Sequence, residues 1–363
     1  MAGTPAESAQ ATGSGAAVRH RGPRLLAALL AAFAPALVAG ALIPELNAFV
    51  LAMVVLLSAQ TALFTGWRRG PPIIAFGLAS LTIATVVSHL PALASLWMVI
   101  VAAGAGLALY HGTMMGYAMV GVTTGFVIVS PAPVATVDKV ALIHPVVTGA
   151  MAALLTLAAG VALAAWTVAL LVWFRLSRPR VDQPGLAAPA SAYIALVLAV
   201  TTGLGVYVIL SWYRVPVAAW LILTLYVLVM KPTPDAPLAG VIRRSIHRVA
   251  GTLAGSAAAV VLVFLVPVDW LLHLLGFGLI VAALAAASPD PRRYWRFVLL
   301  LTPGVVLLDS AAGTGLVAAE YRLAFTAAAA ATAVVAAVGY ALAAGSTRRL
   351  RDRYHHVDHG VGD

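Results

Sequence analysis

The chain has 363 residues, 62% of them hydrophobic and only 9% charged, and its mean hydropathy is +1.00. Soluble domains carry roughly 25% charged residues, so this chain cannot cover a water-facing surface and its solvent is mostly lipid. A disordered chain, a secreted disulfide scaffold and a nucleic-acid-binding domain are excluded together. Cysteine is absent, which removes thiol catalysis, disulfides and thiolate metal sites.

A bilayer-spanning helix needs about 20 mostly apolar residues. In chain order the candidate segments are 24–43, 47–66, 71–90, 92–109, 113–130, 148–174, 192–210, 216–230, 249–267, 270–287, 295–310 and 320–345. The pair 270–287 and 295–310 is short, and a re-entrant hairpin is an alternative for it. The stretch 140–174 exceeds one simple span, so its start near His144 and Pro145 reads as an interfacial piece. The N-terminal residues are rich in Ala, Gly, Ser and Thr and read as disordered. Cleavage after Val38-Ala39-Gly40-Ala41 as a signal peptide ranks lower, because it would leave an odd number of spans.

The formal charge is +10 and the pI about 10.4. With the N-terminus in the cytoplasm and the sides alternating, 19 of the 22 Lys and Arg residues fall inside. They cluster at Arg19–Arg24, Arg68–Arg69, Arg175–Arg180, Lys231–Arg248, Arg292–Arg296 and Arg348–Arg353. Only Lys139, Arg214 and Arg322 fall outside. This split is what the positive-inside rule produces, so the high pI reports orientation. Both termini are expected in the cytoplasm of an inner or plasma membrane. The fold class is all-α integral membrane, about twelve helices in two parallel six-helix repeats. The divisions are a cytoplasmic tail 1–23, a first membrane repeat 24–174, a linker 175–191, a second repeat 192–345 and a basic cytoplasmic tail 346–363.

The repeat rests on two matches. Arg68-Arg69-Gly70 precedes the third segment as Arg243-Arg244-Ser245 precedes the ninth. Thr123-Thr124-Gly125 in the fifth aligns with Thr302-Pro303-Gly304 in the eleventh. An even number of spans per half gives both halves the same orientation, with a path for a transported species expected at their interface. Gly112/Gly116, Gly121/Gly125 and Gly251/Gly255 have the spacing of close helix packing.

Few residues offer chemistry. Arg248 reads in two ways: as the wall of a vestibule attracting carboxylates, since Arg can hold a carboxylate with two N–H groups, or as a snorkelling anchor. Arg243 and Arg244 read as anchors and topology signals. Asp309, Glu320 and Arg322 flank the loop between the last two segments, as an exit gate or an ordinary surface ion pair. Thr123, Thr124, Thr302 and Pro303 are the candidate path wall, because Pro303 frees a backbone carbonyl and broken helices line transporter sites. His144, His89 and His273 can titrate near neutral pH. His144, Asp309 and Glu320 are therefore the candidates for gating or proton coupling. No Walker motif, HExxH or HxxxxD pattern is present. Neither an enzyme nor a metal or other cofactor is expected.

Residues Arg243–Gly255 read RRSIHRVAGTLAG. This R-x-x-G-T-x-x-G entry, with Arg248, Gly251, Thr252 and Gly255, resembles the second-half signature of the fusaric-acid-resistance (FUSC) family of aromatic acid exporters. Trp220 and Thr224 are similar to the family's W-x-x-x-T span, and Arg322 with Thr326 to its R-x-x-x-T opening of the last span. Tyr294-Trp295-Arg296-Phe297 leading into Leu301-Thr302-Pro303 is similar to the family's aromatic-to-Thr stretch. The resemblance covers about residues 190–345. It implies an exporter of aromatic carboxylates and related organic anions, and an architecture like that of the plant aluminium-activated malate transporters. A major-facilitator transporter ranks lower, because its patterned loop between spans two and three is here only Trp67-Arg68-Arg69-Gly70. The expected partners are a small organic anion and membrane lipid, with a homo-oligomer and an envelope adaptor protein left open. The alternative function is a non-transporting scaffold or regulator of an envelope partner.

Overall fold

The computed structural model describes residues 21–42, 48–66, 68–129, 145–176, 185–213, 218–229, 237–266, 268–286, 294–309 and 315–358. These residues form twelve α-helices and no strand. They are α1 Arg21–Leu42, α2 Ala48–Phe64, α3 Gly70–Val87, α4 Pro91–Tyr110, α5 Met114–Val129 and α6 Pro145–Trp173, followed by α7 Ala188–Val208, α8 Ala219–Val229, α9 Pro237–Leu265, α10 Asp269–Ala286, α11 Tyr294–Asp309 and α12 Gly315–Asp358. Each segment read from the sequence falls on one of them. By length and composition six are able to cross a membrane: α3, α4, α6, α7 with its π-type extension to Tyr213, α9 and α12. The remaining six are shorter apolar helices, α10 and α11 among them.

Two boundaries differ from expectation. Helix α9 begins at Pro237, twelve residues before 249, so Arg243, Arg244 and Arg248 are helical residues within its first four turns. Hydropathy alone truncated it, because charged residues lower the local average without ending a helix. Helix α12 continues to Asp358, beyond the expected stop at 345. Arg and Lys are good helix formers, and no Pro or Gly interrupts that end before Gly360.

Local chemistry sets several ends. Proline occupies the first turn of α3, α4 and α7, where its missing N–H costs nothing. Helix α4 stops at Gly112, whose positive φ of 67° allows Thr113 N–H to reach the carbonyl of Ala108, a Schellman arrangement. Helix α6 ends in the same pattern, with Leu176 N–H donating to Leu171. There Arg175 takes the positive φ of 55°, and its charge complements the helix's negative end.

Apolar side chains cover the outside as well as the core. Trp173, Trp212, Phe264 and Val335 are all more than two-thirds exposed, as lipid-facing residues must be. Helix α4 packs against α7, and α10 contacts α1. The α4–α7 seam runs antiparallel: Ser191 Oγ donates to Gly106 O at 2.7 Å, and Ser95 Oγ donates to Gly203 O at 2.8 Å. Within each half the pairings have the same form. Helix α3 lies on α5 and α6, α2 on α6, and α4 on α5. Likewise α9 lies on α11 and α12, α8 on α12, and α10 on α11.

Glycine makes the α4–α7 seam possible. A Cβ at Gly106 would overlap the backbone of Ala195, whereas one at Gly104 would meet nothing within 4 Å. Gly106→Ala should therefore destabilise the protein by about 1–3 kcal/mol, the usual cost of overpacking. Gly104→Ala should gain up to about 1 kcal/mol from helix propensity. Thermal unfolding of the two variants in detergent checks the contrast, and equal midpoints would refute it.

Candidate functional site

Four helices of the second half carry polar residues on their mutually facing sides at one-turn intervals. Helix α8 supplies Trp220 and Thr224. Helix α9 supplies Arg244, Arg248, Thr252 and Ser256. Helix α11 supplies Thr302, and α12 supplies Arg322 and Thr326. All nine are buried. Residues four apart lie on one face of a helix, so each helix presents a single polar stripe.

The stripes are brought together by glycine and by a cation. A Cβ at Gly255 would lie 2.6 Å from Thr302 Cβ and 2.9 Å from Pro303 Cδ, and one at Gly251 would lie 2.7 Å from Val298 Cγ1. The two motif glycines thus let α9 and α11 touch, running in the same direction. Arg322, only 2% exposed, donates from Nη1 to the carbonyl of Thr302 at 3.1 Å. Its guanidinium carbon lies 3.5 Å from the centroid of the Trp220 ring. Trp220 in turn meets Phe126 of α5 edge to face, with centroids 5.3 Å apart. One arginine therefore ties α12 to α11 and α8, and the tryptophan carries the link into the first half.

Arg248 is in a different state. It is 1% exposed and lies inside the apolar span Ala239–Leu265. Its Nε and Nη1 have no hydrogen-bond partner among the described residues. The hydroxyls of Thr224, Ser256, Thr302 and Thr326 likewise have none. No acidic residue occurs in α8, or in α9 from Pro237 to Leu265. A buried charge left without compensation is costly, and at membrane depth such a group marks a functional site. The arrangement gathers the groups that an anion receptor uses: fixed positive charge, several unpartnered hydroxyls and an aromatic ring at Trp220.

Other candidates stand elsewhere. Thr123 Oγ1 donates back to Met119 O at 2.7 Å, and Thr124 shares a 2.8 Å hydrogen bond with Ser80, which also accepts from Trp97 Nε1. Both threonines are buried with their hydroxyls used in packing. Arg243 is exposed, at the start of the α9 stripe rather than within it. Glu320 is exposed, while Arg322 turns into the bundle, so Arg322 is not a surface residue of the last loop. Pro303 is buried beside Thr302. His144 and the side chain of Asp309 lie outside the described residues. Arg244, read as an anchor, is instead buried within the α9 stripe, and Ser256 was not singled out, although its spacing of two turns from Arg248 was a readable signal.

Residues 204–336 match the family described as fusaric acid resistance protein-like. That span holds every residue of the four stripes. No curated protein and no solved structure matches the chain. The resemblance read from Arg243–Gly255 therefore holds for the second half, and the chain is a multi-pass helical membrane protein with a fusaric-acid-resistance-like segment.

The two arginines should respond oppositely to neutralisation. Arg322→Gln loses a charged hydrogen bond of about 1.5–3 kcal/mol and a cation–π contact of about 0.5–2 kcal/mol. It should unfold at clearly lower temperature than wild type. Arg248→Gln removes an uncompensated charge and should leave stability unchanged or raise it. Thermal unfolding in detergent, without added anion, distinguishes the two; a large loss for Arg248→Gln would show that its charge is structurally paired.

Proposed function

With its second half matching the fusaric-acid-resistance family, we propose that this protein is a secondary transporter exporting aromatic carboxylates or related organic anions across an inner or plasma membrane. Arg248 carries the reading: a guanidinium within a membrane span, buried, with unpartnered N–H groups and no acidic residue on its own helix. A carboxylate is the ligand that this group lacks. Trp220 offers an aromatic wall for the ring of such an acid, and the unpartnered hydroxyls of Thr224 and Thr326 can take its polar substituents.

The two-repeat architecture belongs to the same proposal. Helices α3 and α5 run in the same direction, with Gly116 set against Ile73 and Ser80 against Thr124. Helices α9 and α11 do so through the Gly251–Val298 and Gly255–Thr302 contacts. The offset of 175 residues that carries Arg68 to Arg243 also carries Ser80 to Gly255. The α4–α7 and α1–α10 seams are exchanged by the same operation, which supports a two-fold axis along the membrane normal. The clustering of basic residues on one set of helix ends supports an orientation with both termini inside.

Efflux of a radiolabelled hydroxybenzoate from proteoliposomes tests the proposal. Wild type should exceed empty liposomes, and Arg248→Gln should reduce the rate at least about tenfold, the equivalent of 1.4 kcal/mol of anion stabilisation. Dissipating an imposed proton gradient reports whether export is proton-coupled. No efflux of any aromatic or dicarboxylic acid from a folded, correctly reconstituted protein would defeat the reading and favour a scaffold role.

A further inference from the structure

We infer that the anion path is confined to the second half, as a polar ladder closed at one end by an apolar plug, and that the first half is a dry structural copy. The inference rests on the transporter reading above and makes it specific.

The ladder follows from helix register. Gly255, Thr302, Arg322 and Trp220 share one level through the contacts already described. Leu228, Val241, Ala330 and Ala333 pack as a cluster further along. Hence α8 and α12 run together in one direction and α9 runs against them. One turn from the Arg322 level toward that cluster come Thr224, Thr252 and Thr326. The next turn of α9 brings Arg248, and the next Arg244. From Ser256 to Arg244 is about 18 Å at 1.5 Å per residue, a little over half of the roughly 30 Å hydrocarbon thickness. In the opposite direction α9 and α11 meet α10 in an apolar cluster of Ala259, Leu272, Val306 and Leu307, with Leu262 and Val263 against it. Polar groups stop where this cluster starts.

The first half has lost or never held the ladder. At the 175-residue offset Ile73 stands where Arg248 is, Gly77 where Thr252 is, and Leu81 where Ser256 is. Ile73 and Leu81 are buried in the main apolar core. The polar groups there are consumed internally: Ser80 with Thr124 and Trp97, Ser58 on Val54 O, and Thr167 on Leu163 O. Among the described residues of the first half, Thr61 Oγ1 is the buried hydroxyl left without a partner. Between the halves, α5 and α8 close tightly, since a Cβ at Gly121 would overlap Tyr226 and one at Gly125 would press on Ile222. A route along the seam of the two repeats is shut at that contact.

The natural absence of cysteine makes the test direct. Single variants Thr326→Cys, Ser256→Cys, Val306→Cys, Ser80→Cys and Leu81→Cys are placed in the full chain and kept only if they elute as wild type. Membrane vesicles of each orientation are treated with anionic methanethiosulfonate ethylsulfonate. Positions 326 and 256 should react at least about tenfold faster than 80, 81 and 306. They should react from the Arg243 face only and be protected by 4-hydroxybenzoate. Equal reaction at 80 and 81 would overturn the one-sided path, as would unreactive 326 and 256 in a protein that still transports. Fast one-sided labelling at 326 and 256, without 4-hydroxybenzoate protection and without efflux of any acid, would uphold the wet ladder while defeating aromatic-acid export.

Discussion

A guanidinium inside a membrane span, without an acidic residue on its helix, constrains everything around it. Arg248 cannot ionise cheaply in hydrocarbon, and arginine does not deprotonate in proteins. Its surroundings must therefore supply water, hydroxyls or a mobile anion. The polar stripes of α8, α9, α11 and α12 also hold the hydroxyls of Thr224, Ser256, Thr302 and Thr326, which have no hydrogen-bond partner among the described residues. Arg322 shows the contrasting solution. It has a carbonyl and an indole ring in place, so its charge is used to hold α8, α11 and α12 together. One arginine is a structural tie and the other is an open valence.

Small residues convert that constraint into a shape. Lipid provides no hydrophobic drive between helices, so close backbone approach must provide the packing energy. Gly251 and Gly255 bring α9 onto α11, and Gly106 brings α4 onto α7. Close approach on one side of α9 leaves its other polar positions turned toward α8 and α12. The motif glycines thus act on the site indirectly, by fixing the register in which Thr302 meets Arg322. Trp220 then couples this register to α5 through Phe126, so that the half without the site still positions one wall of it.

The twelve segments were legible because long apolar runs are the strongest signal a membrane chain gives. The early start of α9 was not, because hydropathy registers Arg243, Arg244 and Arg248 as interruption, whereas a helix stripe tolerates them on one face. Burial was the hardest property to read. Arg243 and Arg244 are adjacent and chemically identical, yet one is exposed and the other is 7% exposed; only the helix phase separates them. Arg322 reads as a loop residue from its position near Glu320, but it is the eighth residue of α12, on the inward face. The threonines differ in a way that the sequence does not record. Thr123 and Thr302 occupy related places in sequence, and nothing local records that one hydroxyl bonds back to its own helix while the other does not.

On the proposed two-repeat reading, that last difference follows from a duplicated fold whose two copies are free to diverge. The helix scaffold constrains both copies alike: the same-direction pairs α3–α5 and α9–α11 need a small contact residue at Ser80 and at Gly255. On the same reading, ligand chemistry constrains the second copy alone. In the first copy an isoleucine at position 73 restores the burial that an arginine forfeits, worth about 1.5–3 kcal/mol for a fully buried aliphatic side chain. In the second copy that gain is withheld at Arg248. A membrane protein can carry one such deficit when the rest of its core is well packed, and on this reading the asymmetry between Ile73 and Arg248 assigns the deficit to the second copy.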